Sequence, residues 1–338
     1  MFGKMKKTIY ILSLVVLSLT SCDKISPLGV LMAGTAVEDR VKMSDLYYKN
    51  HMNDLVVLTT LGDYSFLVGA DSHLTTDSGR MDEMLEIGLR DDDLFYAHLG
   101  DMADTKAEYY ATLDSLLQEG KRRWVDKNYV KLDEFRYKDW YNQNEDPITY
   151  TYDEIVYPFF PVVGNHDITH NGWALWSNIF RSSFYEIDVV ILTSEGDIQF
   201  DHLIFLDSAS GTLGKTQIDL IKQGALDGKY DIYRNTFVFS HTNIFRPQFF
   251  EFASTFTREE TFFLLDQFEK WNVTCVFCGH VHKWDERDYN GVHYLTLESM
   301  NENENPAPGD YLVRIYVGED GSVSWSPVTM NSTPSKKK

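Results

Sequence analysis

Tyr157-Pro158-Phe159-Phe160-Pro161-Val162-Val163 is an apolar run that stops at Gly164 and then presents Asn165-His166-Asp167, three side chains able to bind metal or carry a proton. Such a run reads as a buried strand delivering chemistry at its C-terminal end. The same arrangement recurs along the chain. Phe66-Leu67-Val68-Gly69-Ala70 leads into Asp71-Ser72-His73, and Leu94 to Leu99 leads into Gly100-Asp101-Met102-Ala103-Asp104. Phe237-Val238-Phe239-Ser240 ends in His241, and Val273 to Cys278 ends in Gly279-His280-Val281-His282. Ligands bind at strand ends in open α/β sheets, so five such endings point to one shared site.

Around these motifs the pattern alternates strands and helices early and turns to strands late. Two apolar runs, 55–60 and 64–70, flank Leu61-Gly62-Asp63 and read as a hairpin. Residues 75–93 read as helix and loop, and 105–117 as a helix ending near Gly120. A shorter helix is expected over 171–179, strands over 189–193 and 200–207, and helices over 215–225 and 257–271. In the last of these Thr257 and Glu260 form a capping-box pattern. Strands are expected over 292–297, 311–317 and 323–327, with a polar loop over 301–309. This order predicts an α+β or α/β fold, a four-layer αββα sandwich of two mixed β-sheets flanked by helices. Residues 118–155, rich in Trp and Tyr, read as an insertion packing its own small core or facing a substrate as a lid.

Composition bounds the function. The 338 residues are 43% hydrophobic, enough for one large domain, and no internal repeat is visible. A net charge of −20, from 31 basic and 51 acidic residues, argues against a nucleic-acid duplex as partner, because no basic surplus replaces its counterions. A small phosphorylated substrate is compatible with that charge, since bound metal ions reverse the field locally. Nothing in the sequence asks for more than a monomer.

The first residues belong outside the fold. Lys4, Lys6 and Lys7 precede a short apolar stretch, Ile9 to Leu19, and then Leu19-Thr20-Ser21-Cys22. That order resembles the lipobox of bacterial lipoproteins. The resemblance implies a signal peptide over 1–21, an acylated Cys22 anchored in the lipid bilayer at the cell envelope, and a tether within 22–50. The domain is then expected over 51–330 and a frayed tail over 331–338. Cys275 and Cys278 are spaced like a metal or redox pair. Three residues apart in a strand they face opposite sides, so they read as buried apolar cysteines.

The set Asp71-x-His73, Gly100-Asp101-x-x-Asp104, Gly164-Asn165-His166-Asp167, His241 and Gly279-His280-x-His282 resembles the calcineurin-like metallophosphoesterase family, over roughly residues 54–300. Leu206-Asp207-Ser208, and Leu213-Gly214 ahead of a helix, are similar to that family as well. The resemblance implies one metal held by Asp71, His73 and His282, a second held by Asn165, His241 and His280, and Asp101 bridging them. The ions are Mn, Fe or Zn, in keeping with a donor set of Asp, Asn and His without thiolate. It also implies hydrolysis of phosphoric esters, with a metal-bound hydroxide as nucleophile, His166 as general acid and Asp104 as its carboxylate partner. Asp71 and His73, like His280 and His282, are two apart and would share one side of an extended chain. The glycines before Asp101, Asn165 and His280 leave room for tight turns.

Asp167 reads as an orienting residue rather than a ligand. His51, His98, His170, His202 and His293 have no comparable context. Thr105 and Lys106 stand where some phosphomonoesterase and protein-phosphatase relatives carry Arg, which argues against protein-phosphatase activity. His241-Thr242-Asn243 replaces the family's usual His-x-Pro. Competing readings are a non-catalytic metal- or phosphate-binding surface lipoprotein, and a different metallo-hydrolase or metal-stabilised module.

Overall fold

The computed structural model describes residues 35–44, 57–76, 79–134, 156–227, 232–245 and 256–331. The expected signal peptide, Cys22, His51 and residues 332–338 lie outside the described residues. Among the described residues no helix is long and apolar enough to cross a membrane.

Period-2 alternation builds two sheets. Strands β1 (Val57–Leu61), β5 (Tyr185–Leu192), β6 (Ile198–Phe205), β7 (Tyr233–Ser240), β8 (Cys275–Cys278), β9 (Asp285–Tyr289) and β10 (Val292–Thr296) form a mixed sheet in the order β1-β5-β6-β7-β8-β10-β9. Strands β2 (Tyr64–Gly69), β3 (Tyr96–His98), β4 (Phe159–Pro161), β11 (Gly309–Val317) and β12 (Val323–Met330) form a second, ordered β12-β11-β2-β3-β4. Phe66, Val68, Phe95, Phe205, Phe237, Phe239 and Phe277 point between the sheets and fill one core. Their rings stack closely, with centroids 4.4 Å apart for Phe66–Phe95 and 4.5 Å for Phe205–Phe239.

The residues of opposite parity face helices. Leu67, Tyr96 and Phe159 pack under α2 (Gly79–Arg90), α3 (Ala107–Glu134), the short α4 (Asn165–Ile168) and α5 (Gly172–Phe180), while Ile204, Val238 and Val276 pack under α6 (Gly214–Lys222) and α7 (Arg258–Lys270). The layers are therefore helix, sheet, sheet, helix, as the strand and helix order predicts. Cys275 belongs to the core between the sheets and Cys278 to the core beneath the helices, so the two free thiols face opposite sides. Thr257 caps α7 and exchanges bonds with Glu260, completing the predicted capping box.

Four local readings are corrected. The run pair at 57–69 is no hairpin: β1 pairs in parallel with β5 in one sheet, whereas β2 lies between β11 and β3 in the other. The helix expected to stop near Gly120 continues to Glu134. Gly120 is there because a Cβ would meet the Tyr157 hydroxyl at 2.8 Å, not because the helix ends. The rest of the 118–155 stretch, 135–155, lies outside the described residues. Residues within the expected tether form helix α1 (Val37–Met43), docked on the domain. Its Arg40 is buried and donates to both oxygens of Asp207 at 2.9 and 2.8 Å, and its Glu38 accepts from the Lys215 and Thr216 amides at the start of α6. Strand β9 was not expected, since Asp285-Glu286-Arg287-Asp288-Tyr289 is polar throughout and lies at an exposed sheet edge.

Candidate metal centre

The C-terminal ends of β2, β3, β4, β7 and β8 meet at one edge of the sandwich, where the loops beyond them bring the predicted residues together. Asp71, His73, Asp101 and His282 form one cluster and Asp101, His241 and His280 another, each with its ligand atoms within 4.8 Å of one another. Asp101 belongs to both. Its Oδ2 lies 3.8 Å from His73 Nε2 and 3.5 Å from His241 Nε2. Asn165 joins the second cluster, with Oδ1 2.9 Å from His241 Nε2. A cavity of about 200 Å³ opens above them.

The backbone that carries these groups is strained. Asp71, His73, Asp101, His280 and His282 have φ of 53°, 42°, 52°, 69° and 57°, in the left-handed region that side-chain-bearing residues rarely adopt. The paired residues therefore share a side through left-handed turns, not along extended chain as the two-residue spacing suggested. Gly164 is required by close approach, since a Cβ there would collide with the Asp101 amide and carboxylate. Asp167 ties the turns together. It accepts from the amides of Asp101 (2.8 Å), Met102 (3.1 Å) and Gly164 (2.8 Å) and from the Tyr110 hydroxyl (2.8 Å), which is the orienting part read from the sequence.

Hydrogen bonds to the far side of each ring decide what faces inward. His241 Nδ1 lies 2.7 Å from the Leu99 carbonyl, which can only accept, so Nδ1 carries the proton. In a neutral ring Nε2 is then an acceptor, yet it stands 2.9 Å from another acceptor, Asn165 Oδ1. His73 and His282 repeat the situation. Their Nε2 atoms lie 3.4 Å apart while their Nδ1 atoms rest on Asp104 (3.3 Å) and Glu304 (2.5 Å). Asp71 Oδ2 accepts from the His280 amide at 2.9 Å, while Oδ1 is buried with no well-aligned hydrogen bond and faces His282 Nε2 at 3.3 Å. Acceptor lone pairs converge on these points, and that arrangement fits cations.

Charge follows the same logic. Burial works against ionisation of Asp71, but the bond and charge of His282 outweigh it and hold the carboxyl below its usual range. Burial likewise opposes ionisation of Asp101, and His241, His166 and His73 overcome it. Burial would lower the His282 pKa, yet Asp71 and Glu304 push it up to about 9, so without metal a proton is drawn into this place. Burial takes His280 down to about 3, leaving it a neutral donor of a lone pair.

His166 and Asp104 stand at the rim. Asp104 Oδ1 is 3.4 Å from His166 Nδ1 and 3.3 Å from His73 Nδ1, so one carboxylate orients both rings, where the sequence reading gave it only His166. Those two bonds, ahead of burial, keep Asp104 ionised well below the usual range. Thr105 turns away from the cavity, donating to the His166 carbonyl at 2.6 Å. Asn243, where a proline was expected, fixes its loop through Phe245 N (2.8 Å) and Thr296 Oγ1 (2.6 Å).

Sequence reasoning missed three supporting residues. Ser208 Oγ accepts from the amides of His241 (3.0 Å) and Thr242 (2.9 Å); the Leu-Asp-Ser flank was its only signal. Glu304 and Ser299 come from the loop after β10, which carries no motif. His98 is buried with both ring nitrogens unpartnered and belongs to neither cluster, while His202 bonds Glu186 at 2.8 Å far from the site.

No family model matches the chain, and no curated protein matches it. Solved structures with a similar chain path include GAP50, the anchor in the inner membrane complex of Plasmodium, at 12% identity and TM-score 0.47, covering 82% of this chain and 90% of that one. A dimetal phosphatase from Danio rerio is similar at 12% identity and TM-score 0.44, covering 80% and 99%. The phosphopantetheinyl hydrolase of Mycobacterium tuberculosis is similar at 13% identity and TM-score 0.36, covering 74% and 95%. None of these reaches a TM-score of 0.5.

Proposed function

We propose that the chain is a two-metal hydrolase of phosphoric esters of the calcineurin-like metallophosphoesterase type. The observation that carries this reading is the set of acceptors around Asp101, of which His241, His73, His282 and Asp71 are held from behind by a carbonyl, a carboxylate or an amide. Asp71, His73 and His282 would hold one Mn, Fe or Zn ion, Asn165, His241 and His280 the other, and Asp101 both. Two such cations supply charge to the phosphoryl oxygens and make water a better nucleophile at neutral pH. Asn165 is a neutral ligand, which preserves positive charge for an anionic substrate.

His166 acts on the leaving group. With Nδ1 on Asp104, its Nε2 is the atom that gives a proton to the departing alkoxide. Asp104 favours the imidazolium and fixes its orientation. The lipobox resemblance adds that the domain works at the cell envelope of a bacterium, held to the bilayer through Cys22.

His166→Ala tests the assignment in metal-reconstituted protein. Turnover should fall on the order of 10²–10⁴ for an ester with a poor alkoxide leaving group, the usual scale of general acid catalysis, and far less for a nitrophenolate. Metal content should stay the same. Equal loss for both esters, or loss of metal, would remove His166 from the proton-transfer role. Absence of metal-dependent turnover in the parent protein would favour a binding protein instead.

A further inference from the structure

The loop after β10 forms one wall of the cavity through Asn301, Asn303 and Glu304. It contains no regular element, yet it is pinned at several points. Arg80, 2% exposed, donates to the carbonyls of Asn305, Ala307 (2.7 Å) and Met300 (3.4 Å), and its guanidinium lies over the Tyr311 ring. Ser299 Oγ donates to the Asp71 carbonyl at 2.9 Å and accepts from the Asn301 amide at 3.0 Å, joining the loop to the metal cluster. A wall held this way presents its side chains in fixed positions, as recognition requires.

The charge of that wall is informative. Asp104 (47% exposed) and Glu304 (37% exposed) both line the cavity, and among the described residues no Lys or Arg does. Asp71 and Asp101 lie beneath. With the His166 imidazolium committed to the leaving group, no side-chain cation among the described lining residues is left to hold a second charge on the ligand, and Asp104 and Glu304 oppose it. A second negative charge on the ligand is therefore the one this wall disfavours. Asn301 and Asn303 contribute neutral amides, which donate to and accept from an uncharged polar group.

We propose that the substrate is a phosphodiester, with one negative charge at phosphorus and an uncharged polar arm against Asn301 and Asn303, in preference to a dianionic phosphomonoester. The proposal rests on the hydrolase reading above. In the reaction, water oxygen bonds to phosphorus as the bond to the leaving alcohol breaks. One water proton passes to solvent and His166 gives one to the alcohol, regaining it from solvent, so the products are an alcohol and a phosphomonoester.

Methyl 4-nitrophenyl phosphate and 4-nitrophenyl phosphate share a leaving group and differ by a methyl group in place of a charge. Compared at about pH 8, where the monoester is a dianion, the diester should have the higher kcat/KM by about tenfold or more. Asn303 has an exposed side chain, so Asn303→Lys adds a positive charge at the wall without touching a ligand residue. That variant should move the ratio about tenfold toward the monoester. By calorimetry on metal-loaded protein it should also tighten inorganic phosphate about tenfold while leaving dimethyl phosphate within about threefold. A parent protein that prefers the monoester, or a ratio and phosphate affinity unmoved by Asn303→Lys, overturns the diester assignment and leaves the hydrolase reading standing. No turnover of either ester with both metals bound overturns both.

Discussion

Asp71 and Asp201 are both fully buried carboxylates at opposite ends of the same sandwich, and they are treated in opposite ways. Asp201, near the start of β6, accepts from the Tyr64 hydroxyl (2.8 Å), Arg234 Nε (2.9 Å) and Nη2 (2.8 Å), and the Asn235 amide (3.1 Å). Its hydrogen-bonding capacity is filled by protein, and its charge is matched. Asp71, just beyond β2, receives one amide on Oδ2, and its Oδ1 faces His282 Nε2 at 3.3 Å in a cluster of histidine nitrogens. A buried charge is stable only when paired: Asp201 is paired with an arginine that stays charged, Asp71 with a histidine whose proton a cation could replace.

Exchanging the two losses gives the largest expected effects. Asp201→Asn strands Arg234, which should destabilise the fold by about 3 kcal/mol in urea or thermal unfolding while leaving metal content unchanged. Asp71→Asn should do the reverse. Metal-free protein should lose less stability than with Asp201→Asn, because the partner stranded here, His282, can give up its proton whereas Arg234 cannot. The stabilisation conferred by metal, about 2.7 kcal/mol at a hundredfold excess over Kd, should vanish. If Asp71→Asn unfolds the metal-free protein as Asp201→Asn does, the distinction between the two ends collapses.

A smaller effect sharpens the comparison at a third buried group. His98 lies under the helices beside Phe159, and burial lowers its pKa to about 3. A depressed histidine pKa means that the unfolded chain binds the proton and the folded chain does not. Its contribution is therefore intact above about pH 6.5 and is lost as pH falls from there toward 3, at about 1.4 kcal/mol per pH unit. His98→Leu in metal-free protein should flatten the acid limb of the stability profile by about that slope. An unchanged slope would mean that His98 is already protonated in the fold.

The strand ends were legible because each motif couples an apolar run to polar side chains, and that contrast survives in one dimension. The layers were legible for the same reason: Phe66 and Val68 alternate with Leu67, and Phe237 and Phe239 with Val238. What local pattern cannot carry is partner choice. Two apolar runs around Leu61-Gly62-Asp63 look like a hairpin whether they pair with each other or pass between sheets. Polarity hid β9, which needs no apolar face at an exposed edge. Gly120 looked like a helix end because its packing against Tyr157 is long-range. In the site, the residues that cluster could be read, but the left-handed φ of five of them could not, since nothing in the local sequence marks those positions. Glu304, Ser299 and Arg80 stay silent for a similar reason: their importance lies in what they touch, far away along the chain.

The most direct test of the account is the metal content of the purified, reconstituted chain, measured by elemental mass spectrometry beside Asp101→Asn. Asp101 stands in both clusters, so its carboxylate is the group the two ions would share. The parent protein should hold two ions per chain, and Asp101→Asn should lose both, with turnover falling to background for good and poor leaving groups alike. A parent chain that binds no metal, or an Asp101→Asn variant that keeps two ions, would contradict a shared two-metal centre at these strand ends.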